Sequence, residues 1–274
     1  MFNQYTLANH PDLNPVLVAF LAEEGFDSFQ ETDEGLLAFG EAKRHAKWKK
    51  ALDRLAAQFS FTYTWEELEE KNWNEAWESE FHPIHIGKQL LIRAEFHEPE
   101  EGFEQELVIT PKMAFGTGHH ATTHMMCELL FERGDLTGQR VFDYGSGTGI
   151  LAMLAGRLGA TFVEAVDIEA PAAESTAENA ERNGVTLDRV VHGTLDDVPV
   201  SKPYDLILAN INRNVILATA GALYERLAPG GTVFFSGILA QDEQLLIERL
   251  HLTGLRHQAT RARQDWRAFV FSRD

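Results

Sequence analysis

Over residues 1–64, short runs of alternating apolar and polar positions are interleaved with two helical repeats. "NQYTLA" alternates as a half-buried strand does. "NPVLVAFLAEEGF" predicts a helix, with Asn14 placed as its N-cap and Pro15 at the first helical position. "DSFQETDEGLLAFG" predicts two strands joined by a turn near Asp33 to Gly35. In "EAKRHAKWKKALDRLAAQF", Trp48, Leu52, Leu55 and Phe59 recur three or four apart and share one helical face. "SFTYTW" closes the series as a strand. The order βαββαβ predicts a small, two-layered, ferredoxin-like α+β domain. It carries no catalytic signature, so recognition or packing is its expected job.

The pattern then changes. "TWEELEEKNWNEAWESEF" has Thr64 as a candidate N-cap and acids in the first turn, where they favour the helix dipole. Leu68, Trp73 and Trp77 mark one face, which predicts a linker helix over residues 65–80. In the remaining stretch, 81–274, "HIGKQLLIRAEF" and "EQELVIT" predict a strand pair separated by "HEPEEGF". From Val141 onward strand and helix alternate. The strands are "RVFDYG", "TFVEAVDI", "DRVVHG", "DLILANI", "GTVFFSGI", "LRHQATRARQ" and "WRAFVFS". Helices lie between most of them, as in "PAAESTAENAERNG", which ends at Gly184 as a C-cap signal. Such alternation predicts an α/β fold: a doubly wound, mainly parallel seven-stranded sheet with helices on both faces. The last two strands adjoin without an intervening helix, which predicts an antiparallel edge.

Composition narrows the class. The 274 residues are 44% hydrophobic and 24% charged, as in a soluble globular protein. A formal net charge of −18 repels nucleic acid over most of the surface and favours basic partners. The one basic stripe, "KRHAKWKK", reads as a solvated helix face. Cys127 is the only cysteine, which excludes an intrachain disulfide and a cysteine-based zinc site. "MFNQYTLANHPDLNP" lacks the basic and apolar regions of a signal peptide, and "VLVAFLA" is far too short to span a bilayer. The expected location is the cytoplasm, with no membrane partner.

The chemistry concentrates in "VFDYGSGTGILAMLAGRLGA". Gly145, Gly147 and Gly149 share one strand-to-helix turn, and a cluster of glycines needs a geometric reason. The reason is either a tight turn that touches nothing or close approach of bare backbone to a ligand. Gly147, Gly149 and Ala152 satisfy a weak dinucleotide fingerprint. Asp143, Gly145, Gly147 and Gly149 satisfy the acid-x-G-x-G-x-G pattern of nucleoside-sulfonium sites, so the turn alone does not decide. "VEAVDIE" ends in Asp167, whose carboxylate can accept both ribose hydroxyls of either ligand. "YDLILANINRNV" delivers Asn210 to the sheet's carboxyl edge, where its carbonyl can accept from an amine. Dinucleotide folds have no use for that group there, although Asn is also a common strand-end residue. Before the sheet, "MAFGTGHHATTH" sets a glycine-flanked loop ahead of a helix that Thr122 and Thr123 are expected to start. Of His119, His120 and His124, only the last two share helical spacing, so no metal site is expected.

Together these elements resemble class I S-adenosylmethionine-dependent methyltransferases, with a Rossmann-like fold. More narrowly the chain resembles the ribosomal protein L11 methyltransferase (PrmA) family. The resemblance runs through "NWNEAWESEFHPIHIG", "MAFGTGHHATT", "DYGSGTGILA", "VDIE", "ENAERNGV" and "LANINRNV…LAPGGTVFFSGIL". The chain reads Gly118-His119-His120-Ala121-Thr122 where the family usually has Gly-Thr-His-Pro-Thr, and Ser146 and Thr148 where Cys and Ser are usual. The resemblance implies a cofactor-binding set of Thr123, Asp143, Gly145, Gly147, Gly149, Asp167, Ile168 and Asn210 for S-adenosylmethionine. Asn210 is the expected orienting group for the acceptor, with His119 or His120 as a proton relay. The implied reaction is N-methylation of lysine side chains or the N-terminal amine of ribosomal protein L11, by a monomer whose N-terminal domain grips that basic substrate. The competing readings are a different protein or small-molecule acceptor, and a non-catalytic adenosine- or dinucleotide-binding module.

Overall fold

A computed structural model describes residues 2–68, 82–110, 118–199 and 202–274. The chain forms two compact units, Met1–Glu80 and Phe81–Asp274.

In the first unit, β1 (Phe2–Ala8), α1 (Asn14–Glu23), β2 (Ser28–Thr32), β3 (Gly35–Glu41), α2 (His45–Phe59) and β4 (Thr62–Leu68) follow in order. The four strands lie β2-β3-β1-β4 with every neighbour antiparallel. This is the ferredoxin-like arrangement that the element order predicts. Tyr5 and Leu7 of β1 and Leu17 and Leu21 of α1 pack with Trp48, Leu52 and Leu55 of α2. Asn14 does not cap α1. A 3-10 turn at Pro11–Leu13, capped by His10, precedes the helix. The fully buried Asn14 side chain instead donates to Gly35 O (3.0 Å) and accepts from Asn9 Nδ2 (2.8 Å), tying the helix to the β2–β3 turn.

Thr64 is not an N-cap either. Residues through Leu68 belong to β4 and pair with β1, from Ala8 opposite Thr62 to Phe2 opposite Leu68. The ladder satisfies β1's second edge, which outweighs the helical preference of four local residues. The rest of the expected linker helix, with Trp73 and Trp77, lies outside the described residues.

The second unit opens with β5 (Ile84–Ile86), β6 (Leu90–Arg93) and β7 (Gln105–Val108), three strands rather than the expected pair. "HIGKQLLIRAEF" folds back on itself at Gly87, whose φ of +56° suits the reversal, so β5 and β6 are antiparallel. Helix α3 (Ala121–Arg133) follows. Then come β8 (Arg140–Tyr144), α4 (Ile150–Arg157), β9 (Phe162–Asp167), α5 (Ala170–Arg182), β10 (Arg189–His192), β11 (Tyr204–Asn210), α6 (Arg213–Arg226), β12 (Leu227–Leu239), α7 (Glu243–His251), β13 (Arg256–Arg263) and β14 (Trp266–Ser272).

β8 to β14 form one seven-stranded sheet in the order β10-β9-β8-β11-β12-β14-β13. The first five are mutually parallel; β14 runs antiparallel between β12 and β13. Alternate residues of β11 serve two cores. Leu206 and Leu208 join Met126 of α3 and Leu154 of α4, while Ile207 and Ala209 join Leu223 of α6 and Leu246 of α7. A sheet buried on both faces has a preformed carboxyl edge on which loops can be held.

Candidate active site

After β8 the chain winds outward through β9 and β10, then returns to the far side of β8 as β11. The carboxyl ends of β8 and β11 therefore flank the crevice where doubly wound sheets bind ligands. Tyr144, Asp167 and Asn210 end β8, β9 and β11 at this edge.

The glycine turn between β8 and α4 is anchored on β9. Gly145 N–H and Ser146 N–H both donate to Val166 O, at 2.9 and 3.1 Å. Gly145 has φ +80°, and a Cβ there would stand 2.3 Å from Ile211 Cγ2. Gly149 also has φ +80°, and its Cβ would meet the Thr176 backbone at 3.0 Å. The clustered glycines thus answer both to left-handed backbone and to close packing on β11 and α5. From α5, Thr176 Oγ1 donates to Gly147 O (3.0 Å) and Asn179 Nδ2 donates to Thr148 O (3.0 Å). Thr176 and Asn179 were not among the residues the sequence singled out. Their signal was a run of small polar residues at helical spacing in "ESTAENAERN", where Ser175, Thr176, Asn179 and Asn183 are all buried.

A cavity of about 470 Å³ opens above this turn. Its wall brings together Thr123, Gly145, Gly147, Asp167, Ile168 and Asn210 of the expected set, with His120. It also includes Gly193 and Thr194 after β10, Gly237 in β12 and Trp266 at the start of β14, none of which was among the expected site residues. Gly149 and Asp143 stand behind the wall and His119 stands off it. His119 Nε2 lies 3.0 Å from His82 O.

Asp143 is fully buried; its Oδ2 accepts from Ala152 N–H in the first turn of α4 (3.1 Å), while Oδ1 has no partner among the described residues. Burial pushes its carboxyl up to about 7 against the pull of that N–H, and the Asp167 carboxylate raises it further. Asp143 thus braces the helix that follows the turn.

At the cavity, Asp167 Oδ2 accepts from Gly147 N–H (2.8 Å) and Oδ1 from Glu169 N–H (3.0 Å). These bonds fix the carboxylate's plane and leave each oxygen a second acceptor direction. Next to it Ile168 is 66% exposed, an apolar shelf at the end of a buried strand. At the other end Asn210 Nδ2 donates to Thr123 Oγ1 (3.1 Å), which orients the carboxamide. Asn210 Oδ1 is buried without a partner among the described residues. Helix α3 begins one residue earlier than expected, with His120 as its N-cap. His120 Nδ1 lies 2.7 Å from Thr122 Oγ1 and 3.3 Å from Thr122 N, so the two threonines sit inside the first turn, both buried. Burial lowers the pKa values of His119 and His120 from the usual imidazole range.

An apolar shelf, a carboxylate beside it, a glycine turn and an orphaned carbonyl acceptor form one series across three strands. They fit, in turn, an adenine ring, its ribose hydroxyls, a close-lying methionine chain and an amine. The unsatisfied Asn210 Oδ1 is the most telling, because a buried acceptor costs free energy until a donor arrives. Fold and site together define a class I S-adenosylmethionine-dependent methyltransferase.

Comparison with known proteins gives the family. The family model "Ribosomal protein L11 methyltransferase (PrmA)" matches residues 23–274. A ribosomal protein L11 methyltransferase of Porphyromonas gingivalis is 40% identical, over 99% of this chain and 94% of its own. One from Bacteroides fragilis is 35% identical over 98% of each. The crystal structure of a ribosomal protein L11 methylase from Lactobacillus delbrueckii subsp. bulgaricus superposes with a TM-score of 0.63 at 31% identity, covering 71% of this chain and all of that one. The chain belongs to the ribosomal protein L11 methyltransferase (PrmA) family.

Proposed function

We propose that this enzyme transfers methyl groups from S-adenosylmethionine to amine nitrogens of ribosomal protein L11, on lysine side chains or at the N-terminus. The observation that carries the choice of amine is Asn210: its Nδ2 is committed to Thr123 Oγ1, and its buried Oδ1, without a partner among the described residues, is left as a fixed acceptor at the end of β11. An amine N–H can satisfy it, which orients the nitrogen's lone pair.

Thr123, Gly145, Gly147, Asp167, Ile168 and Asn210 would hold the donor, with Asp143 and Gly149 supporting the turn from behind. When bound, the donor supplies an electrophilic methyl on sulfur, so the protein's task is alignment. Holding nucleophile and methyl group in line is worth roughly 7–11 kcal/mol of barrier. A lysine ammonium entering a partly dry cavity has its pKa lowered by desolvation, which favours loss of its proton. His120 sits on the wall, but its Nδ1 lone pair accepts from Thr122 N–H, so in the neutral ring Nε2 carries the hydrogen and a relay through His120 would require giving up that cap; His119 stands off the wall. The net charge of −18 steers a Lys- and Arg-rich substrate toward the enzyme. Every group named comes from one chain, so the proposal needs only a monomer. In the same reading the ferredoxin-like unit grips the substrate protein, and the enzyme works in the cytoplasm without a nucleic-acid substrate. Among the described residues no helix is long and apolar enough to cross a membrane.

The test is transfer of labelled methyl from S-adenosylmethionine to purified ribosomal proteins, resolved by mass. Label on lysines or the N-terminus of L11 supports the proposal. Tight binding of S-adenosylhomocysteine with no label on L11 refutes the substrate. Asn210→Ala is expected to slow transfer while leaving S-adenosylhomocysteine affinity within a few fold; full activity would remove Asn210 from the mechanism.

A further inference from the structure

Across the carboxyl edge, the groups fitted to the donor occupy one half. Asp167 ends β9, the glycine turn follows β8 and Asn210 ends β11. The cavity continues past them onto β12 and β14, where its wall is Gly237 and Trp266. Register places these residues. Asn210 is level with Ser236, and Ser236 with Ala268, so Trp266 stands one pleat beyond that row on the side remote from Asp167. It can stand there because β14 is antiparallel: its first residue, not its last, reaches the edge.

Trp266 is also fixed in place. Arg267 Nη1 donates to Trp266 O (3.0 Å) and to Gln264 O (3.3 Å), and its Nε donates to Glu243 Oε2 on α7 (2.9 Å). Asp265 O accepts from Ala240 N–H (2.8 Å). Within the cavity the indole meets the His120 imidazole nearly at right angles, with centroids 4.5 Å apart. At Gly237 a bulge brings the backbone against Ile211; a Cβ there would lie 2.2 Å from Ile211 O, so this part of the cavity wall is bare main chain. A rigid indole at the free end of a donor cavity suits an alkyl chain ending in a cation.

We propose that Trp266 is the acceptor-binding residue: its indole receives the aliphatic stem and ammonium head of the amine to be methylated. This rests on the reading of the site as an amine methyltransferase. Chemistry gives the indole a role that Asn210 cannot fill. Each methyl added replaces an N–H, so the carbonyl acceptor loses its partner, whereas attraction to an aromatic face survives as long as the nitrogen is cationic. Trp266 therefore matters most for substrates that already carry methyl groups.

The probe is n-butyltrimethylammonium, an alkylammonium with no N–H. Its binding to enzyme saturated with S-adenosylhomocysteine is measured by calorimetry for wild type, Trp266→Phe and Trp266→Leu. The expected order is wild type tightest, phenylalanine intermediate and leucine weaker by roughly tenfold or more. S-adenosylhomocysteine affinity should stay within about threefold in all three, which also shows that each variant is folded. In transfer to purified L11, Trp266→Leu should raise KM for the protein and deplete the most highly methylated product first. No binding of the probe to wild type, or equal binding to Trp266→Leu, overturns the proposal. Failure of wild type to label L11 while the probe order holds would instead refute only the identity of the substrate.

Discussion

Replacing Asp143 with asparagine should stabilise the catalytic unit, and by an amount that depends on pH. The carboxyl is fully buried, with one oxygen on Ala152 N–H and the other without a partner among the described residues. Its folded pKa stands at about 7 against an ordinary 3.8. A carboxyl raised in the folded state binds its proton more tightly there than in the unfolded chain. Its contribution is therefore fully present below pH 4 and is lost as pH climbs toward 7. The whole span is worth about 4 kcal/mol at 1.36 kcal/mol per pKa unit. At pH 5 about 2 kcal/mol is already lost, and at pH 8 about 4 kcal/mol, so the two conditions differ by about 2–3 kcal/mol. Asparagine does not titrate, and its Oδ1 can still accept from Ala152 N–H. Any constant effect of its new NH2 group cancels between the two pH values. Urea unfolding of both proteins at pH 5 and pH 8 measures the difference. The advantage of Asp143→Asn should grow by about 2–3 kcal/mol between them. A gap that does not change with pH would show that Asp143 keeps an ordinary pKa and would refute the burial argument.

Asp167→Ala frees Gly147 N–H as well as removing the carboxylate, and calorimetry should find S-adenosylhomocysteine bound at least roughly tenfold more weakly; unchanged affinity would take Asp167 out of the donor site. Gly149→Ala forces a left-handed alanine against the Thr176 backbone and should lower stability by about 2 kcal/mol in thermal unfolding, with an unaltered midpoint counting against the turn's geometry. Asn183 accepts from Val108 N–H and donates to Val108 O, both at 2.8 Å, so Asn183→Ala should cost about 1–3 kcal/mol and speed hydrogen exchange at the Val108 amide. Exchange at wild-type rate would mean that β7 needs no such clamp.

Much of this was legible in the sequence because it is local. Strand-helix alternation, the glycine turn and polar residues ending apolar strands all follow from periodicity and backbone preference, and Gly145, Asp167 and Asn210 do share one cavity wall. What stayed hidden depends on partners far along the chain. Asn14 reads as a cap until Gly35 O is brought beside it. Thr64 to Leu68 read as a helix start until β1 offers an edge. Asp143 and Asp167 are both strand acids in the sequence, and only burial separates the brace from the cavity-lining group. Trp266 carries no motif, and its place depends on the last strand running backwards.

That reversed strand also bears on how the fold is completed. β14 follows β13 in the chain yet lies between β13 and β12, so an elongating polypeptide leaves β12 with an open hydrogen-bonding edge until residues 266–272 arrive. In the finished sheet β13 leaves that edge to β14, its neighbour among the described residues. The donor half of the cavity can assemble while synthesis is still under way, but its far wall comes with Trp266, the first residue of the inserted strand. The nascent enzyme is thus shaped for its donor before it has a place for its acceptor.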